Sequence, residues 1–556
     1  MARSDAETVI KLYEQAKTDR QYREDDWRKA AAYCLPHEYG LWQSDGHVRQ
    51  HNSRDAAKRI AYDSTGARAL PKYCAIVERI STPQSQKWHG LRASDASLQR
   101  KRRVREYMES VTDTLFKLRS HPRAKFRATT AAMYEQLGVY GNAPVFIGAR
   151  KRTRVHPQPG LSYVSCGFRD VFILTDDEGN VTDIFRRFWL NVRTFRLKFP
   201  DASLPMSMQA EGSKPSPDEG AFFEFVHHVC LRSDDHYDPD ALDARRHPVC
   251  SSYVAVKDKV HVTDDAGYAS IPYILPRVGI SASSVYGNSP AVRALAAMGG
   301  ASAMKKTNLK QGNKAVDPVL LAHDDSMING TVDLRPGAVN YGAVSREGRE
   351  LIKALPVGDF RVGFELLQDE RSDVDDCFFV TLFQILTEKT EMTATEVLER
   401  IAEKAALMSP TMGALQSEGL GPMIERELDV SAELGLLPPM PPELVEAQGE
   451  YEITYTSPMA KAMYMEEVTG FWRAVEMALN VSQVQQDPSI LDHFDFDAAL
   501  PEISSYLAVP ERWMRERDAV TSRREGRNAE AQEAQVMQNA PALASAAKTA
   551  MEMGKQ

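Results

Sequence analysis

The stretch Tyr286-Gly287-Asn288-Ser289-Pro290 organises the middle of this chain. After it, the residue pattern predicts a helix rich in small residues over 290–311. A segment with many Gly and Pro residues follows over 314–360, here called the excursion, with predicted strands at 318–322 and 339–344. A helical segment over 361–386, a polar loop over 387–393 and a long helix over 394–434 come next. A helix that leads out to a small module and a second helix that leads back make an elongated hairpin. Such a shape indicates a wall rather than a substrate pocket.

The residues before this stretch change from helical to strand periodicity near residue 144. We predict helices over 4–35, 65–80, 96–119 and 123–138, then strands over 145–147, 161–164, 171–174, 181–188, 221–231, 250–258 and 271–275. Ser4 and Glu7 have the spacing of a capping box at the first helix. Residues 201–219 are predicted to be a surface loop. The segregation of helices and strands indicates an α+β fold that is mainly helical.

The end of the chain returns to helical periodicity. Pro410 and Pro422 should kink the long helix over 394–434. A strand over 451–455 and helices over 458–484 and from residue 510 follow. Residues 529–556 are rich in Ala, Gln and Glu, and we expect them to be helical in an assembly or disordered alone.

Bulk composition indicates a protein of several modules, because 556 residues exceed a single core. No apolar run approaches the roughly 20 residues that span a bilayer, and the N-terminus lacks the apolar region of a secretory signal. We therefore expect a protein made and kept in a cytoplasm, without membrane partners. A formal net charge of −9 argues against tight nucleic-acid binding but is compatible with DNA that slides past weak contacts.

Sequence signatures of an enzyme are missing from the chain. It has no GxxxxGK[ST], GxSxG or HExxH motif, and no GxGxxG at a strand–helix turn. The acidic pairs Asp176-Asp177, Asp324-Asp325 and Asp375-Asp376 could hold Mg²⁺, but adjacent carboxylates on a strand point to opposite faces. We expect neither an active site nor a cofactor.

A group of histidines and cysteines has two interpretations. A zinc site is conceivable, although the spacing fits no standard pattern. The simpler interpretation is two strands, 222–231 and 248–256, that carry these residues by chance, and we expect no metal. The group consists of His227, His228, Cys230, His236, His247 and Cys250.

Several ordered stretches resemble the portal, or head-to-tail connector, proteins of short-tailed bacteriophages. The resemblance spans roughly residues 10–460 and is carried by Arg59-Ile60-Ala61-Tyr62-Asp63-Ser64-Thr65-Gly66, Thr82-Pro83-Gln84-Ser85-Gln86-Lys87-Trp88, Gly160-Leu161-Ser162-Tyr163, Asp177-Glu178-Gly179-Asn180-Val181, Ile184-Phe185-Arg186-Arg187-Phe188, Tyr286-Gly287-Asn288-Ser289-Pro290-Ala291, Met392-Thr393-Ala394-Thr395-Glu396-Val397 and Gln416-Ser417-Glu418-Gly419-Leu420-Gly421-Pro422. Pro71 and the region after 460 depart from the family pattern.

The resemblance implies a division of the chain into the parts of a portal subunit. These are an N-terminal wing (1–285), a stem helix (286–313), a clip (314–360), a second stem helix (361–386), a tunnel loop (387–393), a long wing helix with a return strand (394–457), crown helices (458–528) and a tail that forms a crown barrel or is disordered (529–556).

The resemblance also implies a function and a set of partners. The expected assembly is a homo-dodecameric ring at one capsid vertex, through which double-stranded DNA is packaged and ejected. Expected partners are terminase, scaffolding and major capsid proteins, tail adaptor and nozzle proteins, and internal core or ejection proteins. The ring would be assembled in the host cytoplasm and retained in the virion.

Charged residues of the hairpin are the candidates for channel contacts. Those on the outgoing helix and beyond it are Lys305, Lys306, Lys310 and Lys314, and those in the loop are Glu388, Lys389 and Glu391. The alternative is that the lysines pair with acids of the returning helix or of the next subunit. These acids are Asp369, Glu370, Asp373, Asp375 and Asp376.

Two other function classes stay open on the sequence alone. One is an oligomeric adaptor or scaffold that does not conduct DNA. The other is a metal-dependent nuclease that uses the aspartate pairs.

Overall fold

The structure is a computed structural model of the chain. It describes residues 4–39, 42, 60–84, 86–99, 101–150, 152, 157–212, 221–232, 243–281, 284–322, 333, 335, 337–341, 343–345, 347–355, 361–381, 408–446, 450–456, 458–485, 488–506, 509, 513–515, 519–527 and 529–530.

Helices and strands alternate in blocks along the chain, as expected for an α+β fold. The helices are α1 (Ala6–Cys34), α2 (Thr65–Ser81), α3 (Ala96–Gln99), α4 (Arg102–Ser120), α5 (Phe126–Tyr140), α6 (Val192–Lys198), α7 (Met206–Gly212), α8 (Pro290–Arg293), α9 (Leu295–Val316), α10 (Arg361–Cys377), α11 (Gly421–Glu433), α12 (Pro442–Glu446), α13 (Pro458–Gln485) and α14 (Phe496–Tyr506). The strands are β1 (His89–Ala93), β2 (Val145–Ala149), β3 (Leu161–Ser165), β4 (Val171–Thr175), β5 (Val181–Leu190), β6 (Phe223–Leu231), β7 (Val249–Ala255), β8 (Val260–His261), β9 (Ala266–Tyr268), β10 (Tyr273–Ile274), β11 (Leu320–Ala322), β12 (Ile352–Ala354) and β13 (Tyr451–Tyr455).

The largest sheet is antiparallel and has the order β4-β5-β6-β7-β8, with β9 also paired to β7. The N-terminal helix α1 covers one face, where Val9 and Tyr13 pack with Phe172, Phe185 and Val226. Because side chains alternate along a strand, this cover buries every second residue of the central strands.

A second core joins the N-terminal half to distant parts of the chain. Trp27 of α1, Tyr134 of α5 and Val145 of β2 share it with Met298 of α9 and Ile424 of α11. The small sheets β10-β2-β3 and β1-β13 border this core. The first turn of α9 is therefore anchored in the body of the protein.

The stretch 286–290 is fixed by aromatic contacts of Tyr286 and by a helix cap at Ser289. The Tyr286 ring packs edge-on against Trp27 and Phe168, with centroids 5.4 and 5.8 Å away. Ser289 caps α8, since its hydroxyl accepts a hydrogen bond from Val292 N at 2.9 Å. Pro290 follows at the first helical position, where its fixed φ favours a helix.

Several predicted helix ends were wrong because side-chain packing decides them. Gly138 does not end α5. A Cβ there would lie 2.6 Å from Leu70 and 3.0 Å from Tyr73, so Gly138 instead lets α2 approach closely. The helix ends at Gly141, whose φ of +75° is left-handed.

Three further predictions about helices were wrong. Asp5, not Ser4, precedes α1, and its side chain makes no capping hydrogen bond. The helix predicted over 96–119 is two helices, α3 and α4, and the loop predicted over 201–219 contains α7. Pro71 lies inside helix α2, which begins at Thr65 as predicted.

The hairpin differs from its predicted bounds at both ends. The predicted helix over 290–311 is α8 followed by α9, which continues to Val316 and thus into the range assigned to the clip. The returning helix α10 ends at Cys377 and is followed by a turn in which Phe379 has a φ of +59°. Residues 380–381 are helical again, and 382–386 lie outside the described residues.

Among the described residues of the excursion between the two helices, one strand was predicted and one was not. Strand β11 confirms the first, but it pairs with β12, and the described residues of 339–344 form no strand beyond a bridge between Val344 and Glu350. In the described part of the long helix, residues 408–415 are α-helical and Gln416–Leu420 form a π-helical turn before α11.

Candidate functional site

Helices α9 and α10 form an antiparallel pair, and two contacts fix their register. Gly300 lies against Glu370, because a Cβ at this glycine would be 2.7 Å from the Glu370 carboxylate. Eight residues further along α9, Asn308 Nδ2 donates a hydrogen bond to the carbonyl of Gly363 at 3.1 Å. Residues 300 and 370 are therefore level, and so are 308 and 363.

The base of the pair is attached to the segment before α2. The Ser302 hydroxyl donates to the Ile60 carbonyl and accepts from Tyr62 N, both at 2.8 Å. On the other helix, the Arg371 guanidinium binds the Asp63 carboxylate, with Nη2 2.6 Å from Oδ2. Both helices thus contact the same short segment.

Asp63 serves two elements at once. Its Oδ1 accepts a hydrogen bond from Thr65 N at 2.9 Å at the start of α2, while Oδ2 binds Arg371. Burial alone would raise the pKa of Asp63, but the hydrogen bonds from Arg371 and Thr65 hold it below its ordinary value. The carboxylate is therefore ionised in the folded protein at neutral pH.

The candidate lysines form a ridge from the middle of α9 to its C-terminal end, the half that leads into the excursion. Lys306, Lys310 and Lys314 are spaced by four residues, which places them on one side of the helix over about 12 Å. These three are exposed and Lys305 is half-buried. Lys306 Nζ lies 5.0 Å from the centroid of the Tyr62 ring.

The candidate acids lie on the C-terminal half of α10. Asp369, Asp373 and Asp376 are exposed, whereas Glu370 is half-buried against Gly300. Asp375 is also half-buried. Burial raises the pKa of Asp375. The neighbouring carboxylate of Asp376 raises this pKa further, whereas Lys72 and Arg68 of α2 lower it.

The register of the pair explains why the two sets of charges do not meet within one chain. Gly300 is level with Glu370, so Asp369 is level with residue 301, about 7.5 Å along the axis from Lys306 and farther from Lys310. Within the described ranges, no ion pair joins a candidate lysine to a candidate acid. Pairing between subunits stays a prediction. Glu388, Lys389 and Glu391, like the whole polar loop over 387–393, lie outside the described residues.

Large apolar side chains are exposed on the outer part of the pair and on the excursion. Val316 is 88% exposed and Tyr341 is 91% exposed. Val319, Leu321 and Phe364 are each more than half exposed. Apolar side chains left in water mark positions where contact with another surface is favourable.

Sequence reasoning missed a buried ion pair between helices α4 and α11. Arg119 of α4 binds Glu427 of α11, with Nε 2.9 Å from Oε2, and Tyr163 donates to Glu427 at 2.6 Å. Burial alone would lower the pKa of Arg119, but the Glu427 carboxylate raises it. Burial and Arg119 hold the pKa of His89 well below its ordinary value, so this neighbour is neutral. No local pattern could reveal it, since Arg119 and Glu427 lie 308 residues apart.

The histidines and cysteines of the central sheet do not act as one group. His227 and Tyr253 stack on the face opposite to α1, where His227 Nδ1 lies 2.6 Å from the Tyr273 hydroxyl. His228, Cys230 and Cys250 lie on the α1 face. His247 precedes β7, and His236 lies outside the described residues.

The aspartate pairs give no sign of a nuclease site among the residues that can be described. Asp176 lies in the β4–β5 turn, where its carboxylate accepts from Asn180 N at 2.7 Å. Asp375 and Asp376 are on α10, far along the chain from that turn, and Asp324-Asp325 lie outside the described residues.

In the described part of the chain, no helix is long and apolar enough to cross a bilayer.

Comparison with known proteins gives a consistent result. A family model described as bacteriophage head to tail connecting protein matches residues 6–514. The probable portal protein of Bordetella phage BPP-1 is 25% identical over 567 aligned positions, which cover 98% of this chain and 95% of that protein. The portal protein of Salmonella phage epsilon15 is 24% identical, covering 99% of this chain and 96% of that protein.

Solved structures are matched more weakly. The neck of an empty gene transfer agent particle is 13% identical, covers 79% of this chain and 94% of that one, and has a TM-score of 0.36. The virion of a native gene transfer agent particle gives a TM-score of 0.33 at 11% identity. Scores this low do not by themselves establish a shared fold.

Proposed function

The chain belongs to the family of bacteriophage head to tail connecting proteins, and on that premise we propose that its copies form a ring whose axial channel is lined by α9 and α10. Its function is that of a portal, the connector at the capsid vertex for DNA packaging. We propose a homo-dodecameric ring, a structural rather than catalytic role, and assembly in the host cytoplasm before retention in the virion.

In this proposal each part of the chain has a place in the ring. Helices α9 and α10 are the stem, the excursion with β11 and β12 is the clip, and residues 387–393 are the tunnel loop. The N-terminal half and the long helix up to β13 form the wing, and α13 and α14 belong to the crown. The exposed apolar side chains of the stem and clip, such as Val316 and Tyr341, support contact with neighbouring subunits.

The observation that carries the DNA-conducting role is the exposed lysine ridge. Lys306, Lys310 and Lys314 have no carboxylate partner among the described residues, and rotation about a ring axis would repeat them as belts of positive charge. Such belts attract the phosphate backbone without reading its sequence. The protein as a whole is acidic, so the remaining wall would hold DNA weakly and allow it to slide.

The partners of the ring follow from its place in the particle. We propose terminase and the tail adaptor and nozzle proteins as partners at the clip, and scaffolding and major capsid proteins at the wing. Internal core or ejection proteins would meet the crown. Double-stranded DNA passes through the channel inward and later outward.

Alanine substitution of Lys306, Lys310 and Lys314 together tests the role of the ridge. We expect rings of normal size in electron micrographs, together with a change in the amount or retention of nuclease-protected DNA in particles that carry the variant. The physical reason is that the variant removes three positive charges per subunit from the proposed wall while it leaves the helix–helix contacts intact.

A matched control removes the same charge elsewhere. Lys11, Lys17 and Lys117 are exposed on α1 and α4, outside the two helices of the proposed stem. Their replacement by alanine should leave packaging unchanged. Normal genome length and retention in the stem variant would refute the belt, and rings without an open channel wide enough for duplex DNA would favour the non-conducting adaptor.

A further inference from the structure

One face of the central sheet brings four metal-binding side chains together from three strands. Asp183 of β5 lies directly opposite Cys230 of β6, and Cys230 lies directly opposite Cys250 of β7. His228 is two residues before Cys230 and therefore points to the same face. This arrangement depends on strand register and leaves no compact motif in the sequence.

The donor atoms are already close to the separations that a zinc ion requires. A carboxylate oxygen of Asp183, a ring nitrogen of His228 and the sulfur of Cys230 all lie within 4.8 Å of one another. His228 Nε2 and Asp183 Oδ1 are 2.8 Å apart, and Cys250 is the register partner of Cys230 on the neighbouring strand β7. Ligand atoms around tetrahedral zinc are roughly 3.3–3.8 Å apart, so rotations of the Asp183, His228 and Cys230 side chains would bring these three donors into that range.

The surroundings orient these side chains and leave a path for an ion. The His228 ring stacks on Phe185 with a centroid distance of 4.6 Å and an interplanar angle of 8°, and this contact fixes its plane. His228 is buried, whereas Asp183 and Cys230 remain partly exposed. Arg232, the nearby cation, is bound by Asp265, with Nη2 2.7 Å from Oδ1. The carboxylate of Asp265 thereby offsets the positive charge next to the thiols.

We propose that Asp183, His228 and Cys230 bind a zinc ion on this sheet, with Cys250 as the fourth ligand. Thiolate, imidazole and carboxylate donors together suit zinc, whereas magnesium and calcium prefer oxygen donors alone. Adjacent strands are about 4.8 Å apart, so donors on β5 and β7 can converge only on an ion above β6. Four protein ligands make a closed site that joins three strands, which is the pattern of a structural zinc site.

The test uses the full-length protein, purified from cells grown with zinc and analysed for bound metal. We expect about one zinc per chain, removal by a chelator with a lower melting temperature, and recovery of both on zinc addition. Cobalt in place of zinc should give a thiolate-to-cobalt charge-transfer band in the near ultraviolet. A protein without bound zinc that gives no such band with cobalt would overturn the proposal.

Variants separate the site from the other thiols. Cys230→Ser and His228→Gln should each abolish stoichiometric zinc and the cobalt band. Cys377→Ser, at the end of α10, is the matched control and should retain both. Because a ligand variant could fail to fold, its far-ultraviolet circular dichroism is compared with that of the chelated wild type. A disulfide between Cys230 and Cys250 in the purified protein, found by mass spectrometry without reductant, would also refute the site.

Discussion

Replacement of Gly287 by alanine is the sharpest test of how the hairpin is joined to the body. A Cβ at this position would lie 2.5 Å from the Gly141 carbonyl oxygen, 2.6 Å from the Val278 oxygen and 2.8 Å from the Val278 nitrogen. All three are backbone atoms, so no side-chain rotation can relieve the contact.

The size of the effect follows from these contacts. The Val278 nitrogen donates to the Gly141 oxygen at 2.9 Å, and Asn288 N donates to the Val278 oxygen at 2.8 Å. An inserted methyl group in a packed interior costs about 1–3 kcal/mol, and each weakened hydrogen bond adds about 1 kcal/mol. We therefore expect Gly287→Ala to lower the free energy of unfolding by about 3–5 kcal/mol. With an unfolding entropy of about 2.1 cal/mol/K per residue, this corresponds to a decrease of roughly 3–4 °C in Tm for a chain of 556 residues.

The assay is thermal unfolding of wild type and variant, followed by circular dichroism at equal protein concentration. Gly312→Ala is the control, because a Cβ at Gly312 of α9 would meet no other atom within 4 Å. Alanine is the better helix former by up to about 1 kcal/mol, so this variant should melt at or above the wild type. A Gly287→Ala protein that melts with the wild type would refute the close approach.

Two further predictions concern buried and half-buried charges. Glu427→Gln should lower the free energy of unfolding by about 3–5 kcal/mol in urea titrations, because Arg119 keeps a buried charge without its partner. A double variant that also carries Arg119→Met should lose less stability than the sum of the losses of the two single variants. Strict additivity of these losses would contradict the pairing. Asp63 has a folded-state pKa below its ordinary 3.8, so its contribution to stability is complete above that value and is lost as the pH falls through the folded pKa. Asp63→Asn should therefore flatten the loss of stability below about pH 4 relative to wild type, and identical acid profiles would show that the contact with Arg371 contributes nothing.

Local sequence signals predicted the elements of the fold more reliably than their ends. Strands β4, β5 and β13 were predicted near their observed positions, because their patterns depend on residues close to one another in the chain. The cap at Ser289 follows a known capping preference. Gly138 misled the prediction because a glycine can serve a tertiary contact as well as a helix end.

The candidate site shows the same division. The lysines and acids of the hairpin were recognised from composition, but their relative level along the helix axes depends on the contacts Gly300–Glu370 and Asn308–Gly363. A shift of one helical turn would have brought Lys306 and Asp369 closer. No pattern within either helix determines this shift, because it is decided by packing between them.

The sequence by itself determined the α+β class, the outgoing and returning helices and the resemblance to portal proteins, since these depend on periodicity and ordered local motifs. Only the tertiary structure decided which distant residues meet. The ion pair of Arg119 and Glu427 and the cluster of Asp183, His228 and Cys230 arise from strand register and helix packing. Side-chain contacts across hundreds of residues are selected by the free energy of the whole fold, which no short segment of sequence encodes.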